Sequence, residues 1–88
     1  MTTIDGIPLC VASGGSMRIV QTIFSVSRRH LAVIGTEDSS WRVLTFVRET
    51  PAAAKPFWAE IGSPSTVDSL QRAEVLARDN LRSIGADL

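Results

Sequence analysis

The feature that most limits what this chain can fold into is an amphipathic stretch over residues 66–84. Val67, Leu70, Ala73, Leu76, Ala77, Leu81 and Ile84 recur at three- and four-residue spacing, which is one face of a helix of period 3.6. Asp68, Gln71, Arg72, Arg78, Asp79 and Arg82 fall mostly on the other side. Ser63-Pro64-Ser65 offers caps, with Pro64 fitting a first helical position, so the helix is expected to start at Ser65. Asp68 then stands where its charge suits the helix dipole. Glu74 and Arg78 are four apart in the favourable order. Gly85 is the expected stop, because a left-handed residue closes the last turn at least cost without a Cβ. One apolar stripe needs one apolar surface to cover, so the rest of the chain must supply it.

The residues before it read as strands. Residues 41–48 are rich in β-branched and aromatic side chains, with Trp41, Val43 and Val47 on one face and Leu44 and Phe46 on the other. Apolar on both faces, this segment reads as a central strand covered on both sides. Residues 31–36 form a shorter apolar run, joined to it by Glu37-Asp38-Ser39-Ser40 as a hairpin loop. Residues 57–61 read as another strand, after a surface loop containing Pro51 and Pro56. Asp5-Gly6 is a turn dipeptide, so residues 1–15 read as an edge hairpin, with Pro8 tolerated at an edge, or as a mobile arm.

Residues 17–29 carry conflicting signals. Ile19, Val20, Thr22, Ile23, Phe24 and Val26 favour a strand by composition. Alternation fails, because Ile19 shares its face with Gln21 and Ser25, whereas a helical wheel separates apolar from polar residues cleanly. Gly14-Gly15-Ser16 before the segment serves either as a turn or as a cap. The expected fold is therefore α+β: a small antiparallel β-sheet of three to five strands with the C-terminal amphipathic helix across one face. The strand reading of 17–29 is preferred, and a first helix is the alternative. The sheet is expected to supply core residues such as Leu44, Phe46, Val33 and Ile61, while the sequence does not fix which sheet face the helix covers.

Length and charge bound the function. The 88 residues suit a single domain, 1–88, and so small a core gains from burying more surface against a copy of itself. Apolar residues make up 44%, enough to offset chain entropy. Nine Lys plus Arg balance nine Asp plus Glu, so no net charge draws the chain toward nucleic acid or anionic membrane. The first residues do not read as a signal peptide and no run is long enough to span a bilayer. With one cysteine, the chain reads as cytoplasmic.

The catalytic inventory is sparse. Cys10 and His30 are single, and two such residues make neither a structural zinc site nor, without help from the fold, a nucleophile–base pair. Cys10 is expected as a buried small apolar residue and His30 as an exposed or half-buried residue opening a strand. No phosphate-binding glycine pattern surrounds Gly14-Gly15. No catalytic residue, metal ligand or cofactor is therefore assigned, and no enzyme is expected.

Two binding readings remain. The first is a protein-interaction or self-associating module with an interface on the second sheet face. Its candidates are Trp41, Trp58 and Phe57, with Arg42 and Arg48 as a rim. Phe57 and Trp58 are adjacent, so one of them points away from the helix-covered side. The second reading is a nucleic-acid site built on Arg18, Arg28 and Arg29. With 17–29 as a helix, the order helix, three strands, helix is that of double-stranded-RNA-binding domains. Residues 65–70, however, carry no lysine where those domains grip phosphates, so the family is not assigned.

Overall fold

A computed structural model describes residues 3–10 and 17–88. Gly14-Gly15-Ser16, read above as a turn or a cap, lies outside the described residues, as does the part of the expected N-terminal hairpin or arm beyond residue 10. The elements are β1 (Thr3–Ile4), β2 (Ile7–Cys10), β3 (Arg18–Phe24), β4 (His30–Glu37), β5 (Ser40–Glu49), β6 (Phe57–Val67) and α1 (Leu70–Ser83). The strands form one six-stranded sheet in the order β1-β2-β6-β5-β4-β3.

This corrects the expected small antiparallel sheet of three to five strands. The sheet is mixed, because β2 runs parallel to β6, with Leu9 opposite Trp58 and Cys10 opposite Ala59. It is also larger, since the N-terminal segment forms a hairpin at its edge, the first of the two readings given above, and adds β1 and β2. Both tight hairpins have two-residue turns with positive φ at each position: Asp5 (58°) with Gly6 (73°), and Asp38 (50°) with Ser39 (67°). That geometry matches the right-handed strand twist and suits Asp and Gly. Pro8, expected at an edge, is not on the outermost strand: β2 lies between β1 and β6, and its ladder with β6 starts after the proline, at Leu9.

The segment 17–29 contains no helix. β3 pairs antiparallel with β4, and the register slips by one residue between Ile19 and Gln21. Val20 is the extra residue, and it bulges out, 48% exposed. The bulge explains the broken alternation. It puts Ile19 on the same face as Thr22 and Phe24, and Gln21 on the same face as Ile23. A second irregularity lies in β6, where the three residues between Ile61 and Ser65 face the single residue, Leu44, between Thr45 and Val43. Gly62, Ser63 and Pro64 sit in it, where a proline costs no ladder bond.

The sheet curls into a half-barrel. In a flat sheet the β1–β2 and β3–β4 turns would lie about 19 Å apart, four strand spacings. Here Arg28 of one turn meets Asp5 of the other at 3.4 Å. Phe24 of β3 and Trp58 of β6, three strands apart, approach to 6.1 Å between ring centroids. The concave face thus closes on its own side chains: Ile7, Leu31, Val33, Leu44, Phe46 and Trp58 are buried there, with Ile4, Leu9, Met17, Ile19 and Phe24 packed around them.

Helix α1 covers the convex face. Ala73, Ala77 and Leu81 are fully buried against Ala32, Ile34 and Val43, with Ile23, Trp41 and Val67 at the border. Of the four sheet residues named for the core, Leu44, Phe46 and Val33 line the opposite, concave face, and Ile61, opposite Thr45, takes the convex one. The helix also starts later than expected. Its cap is Ser69, whose Oγ accepts from the Arg72 N–H at 3.2 Å. Residues 65–67 still belong to β6. Gly85 (φ 83°) ends the helix as expected. Its N–H donates to the Arg82 carbonyl at 3.0 Å and that of Ala86 donates to Leu81 at 2.9 Å, a paired closure of the last turn. No helix among the described residues is long and apolar enough to cross a membrane.

Candidate binding surfaces

The two faces of the sheet divide the residues expected to act together. Strand parity places Trp41 and Phe57 on the convex face, opposite Val67 and Glu49. Trp58, Arg42 and Arg48 lie on the concave face. Trp58 does point away from the helix-covered side, but it is fully buried. Its Nε1–H donates to the Ile4 carbonyl at 3.0 Å, which fastens the N-terminal hairpin over the barrel mouth. Trp41 is half-buried at the edge of the helix. Arg42 pairs with Glu37 at 3.2 Å, at the other end of β5 from Arg48. These five residues do not form one surface, and the second sheet face is covered by the chain itself.

The arginine cluster also separates. Arg18 opens β3, while Arg28 and Arg29 lie in the turn after it, about 20 Å away along the strand. Arg28 adopts a positive φ of 61°, stacks on Phe24 with its guanidinium carbon 4.5 Å from the ring centroid, and pairs with Asp5. It closes the half-barrel, so its charge is already engaged. Arg18 makes no ion pair among the described residues.

Cys10 is exposed, contrary to the buried position expected. It terminates β2, where its side chain takes the convex face beyond the reach of α1. His30 is half-buried and opens β4. The two stand in one row across the sheet, Cys10–Ala59–Val47–His30, three strand spacings or about 14 Å apart. They cannot share a proton at that distance. No three His, Cys, Asp or Glu side chains gather to hold a metal among the described residues.

The turn of residues 25–28 is tied to the segment after the helix. The Asp87 carboxylate accepts from the Ser27 N–H at 3.0 Å and the Ser27 hydroxyl at 2.8 Å, and its carbonyl accepts from the Val26 N–H at 2.6 Å. The Ser27 hydroxyl bond, above all, holds the Asp87 carboxyl below its usual range. Asp87 itself is exposed. Two open grooves flank α1. One, of about 220 Å³, runs between Asn80, Ser83 and Ile84 and the β6 irregularity, and the other passes Arg72, Leu76 and Asp79. Neither gathers a set of groups that could act on a substrate.

What remains is an edge. β3 is outermost in the sheet, and among the described residues nothing pairs with its outer side. It runs seven residues with one charge, Arg18, at its start. The opposite edge is blunted by the two-residue β1. A strand was the preferred reading of 17–29, but the bulge broke its alternation, so its place at the edge of the sheet did not show; the signal was the uncharged run of residues 19–24. Comparison with protein-family models, curated proteins and solved structures finds no match.

Proposed function

We propose that the protein is a small non-catalytic binding module that takes a strand from a protein partner along the outer edge of β3. The observation that carries this reading is the open edge itself. A strand paired on one side presents unpaired N–H and C=O groups that recruit another chain. Proteins usually guard such edges with lysine, proline, brevity or a β-bulge, and of these β3 carries only the single-residue bulge at Val20. Residues 19–24 contain no charge and no proline, and Val20 projects an exposed side chain from the bulge. The distance between Cys10 and His30 supports the non-catalytic part of the proposal. A lone exposed thiol fits a reducing compartment such as the cytoplasm.

The test is titration of the isotope-labelled protein with a panel of short extended peptides rich in β-branched residues, followed by NMR. Saturable shift changes confined to β3 and its neighbour β4 are expected. Binding that maps to the α1 grooves, or, in a chain diluted until it is monomeric, no binding by any peptide, would contradict the proposal.

A further inference from the structure

We infer that the strand taken by β3 is β3 of a second copy of this chain, paired antiparallel about a two-fold axis through Thr22. The inference rests on the open-edge reading above and adds the identity of the partner. Three observations select a copy.

The first is self-complementarity across the bulge. With Val20 looped out, β3 reads in ladder order as Arg18, Ile19, Gln21, Thr22, Ile23, Phe24, followed by Ser25. Pairing about Thr22 sets Gln21 against Ile23, Ile19 against Phe24 and Arg18 against Ser25. Each pair then joins side chains of the same sheet face, which antiparallel pairing requires. Ile19 and Phe24, both partly buried on the concave side, extend that core across the junction.

The second is charge. Arg18 of one copy arrives beside the Ser25 turn of the other, where Asp87 is held by Ser27 on the same convex side. Arg28 of that turn is already paired with Asp5, and Asp87 is the carboxylate an incoming cation meets. The two-fold axis makes the contact twice. Within one chain Arg18 and Asp87 stand at opposite ends of β3, about 20 Å apart, so they cannot satisfy each other. The third is the zero net charge, which leaves no long-range repulsion between copies.

The test is sedimentation velocity of the full chain from about 1 to about 100 μM, a range that detects micromolar association. It compares the unsubstituted protein with Val20→Lys, Arg18→Glu, Asp87→Arg and the double variant Arg18→Glu/Asp87→Arg. A reversible dimer is expected, weakened by Val20→Lys and weakened about tenfold by each charge reversal. The double variant should recover most of the affinity, and because of the intrachain distance that rescue can only act between copies. Circular-dichroism melting checks that each variant is folded. Should Asp87→Arg open its own turn, Arg18→Glu and the salt dependence of the native dimer read the same contact. A monomer across the range, a dimer indifferent to Val20→Lys and Arg18→Glu, or failure of a folded double variant to recover would overturn the inference. If the chain stays monomeric while extended peptides still bind β3, the second copy is wrong and the open-edge reading stands.

Discussion

Trp58 shows how one side chain can set the shape of a small sheet. Its ring fills the concave face, touches Phe24 from the far edge, and holds Ile4 through Nε1. Trp58→Phe keeps a ring there but leaves the Ile4 carbonyl without its donor. A loss of about 1–3 kcal/mol in chemical unfolding is expected, with faster amide exchange in the N-terminal hairpin. Trp58→Ala should cost about 3–5 kcal/mol, the range for removing a large buried ring. Gly35 is a second pivot, because a Cβ there would stand 2.7 Å from the Arg18 carbonyl oxygen and against Met17. The backbone oxygen cannot swing aside, so Gly35→Ala should destabilise by about 1–3 kcal/mol in the same unfolding assay. Asp87 gives a pH signature. Its carboxyl is more acidic folded than unfolded, so its contribution is full above the ordinary aspartate range and is lost as acid protonates it below that range. The difference in melting temperature between the native protein and Asp87→Asn should stay constant near neutral pH and shrink only in that acid window.

At the level of elements, the helix was legible in its interior and its end but not at its start. The stripe of Leu70, Ala73, Ala77 and Leu81 and the stop at Gly85 are local signals, and the structure uses them as read. The start was misplaced because Val67 keeps the helical spacing while belonging to β6. It packs into the same convex core from the strand side, so the apolar period runs unbroken across the junction. Ser69→Ala should therefore lower stability by about 1 kcal/mol in thermal or chemical unfolding, while Ser65→Ala should leave helix capping untouched. Strand β3 failed to show its period for a different reason. One bulged residue reverses the parity of everything after it, and Val20 carries no mark such as a glycine to announce it. The candidate edge was lost with the period.

For the whole molecule, the sequence showed a two-sided central strand but not what covers its second side. Leu44 and Phe46 are buried because β1, β2 and β3 curl round to meet them, and that depends on contacts between residues such as Asp5 and Arg28 or Ile4 and Trp58. Periodicity is a local property and carries no trace of such pairings, nor of a parallel match between β2 and β6. The curl also separates the two tryptophans, with Trp58 buried inside and Trp41 half-buried at the edge of the helix. Among the described residues, the surface left unpaired is the outer backbone edge of β3. The most direct test is amide hydrogen exchange along β3, measured by NMR in dilute and in concentrated solution. Alternate amides of residues 18–24 should exchange fast when dilute and become protected as concentration rises, with the α1 grooves unchanged. Exchange along β3 that does not depend on concentration, or protection that grows around Leu76, Asn80 and Ser83 instead, would contradict the β3 pairing.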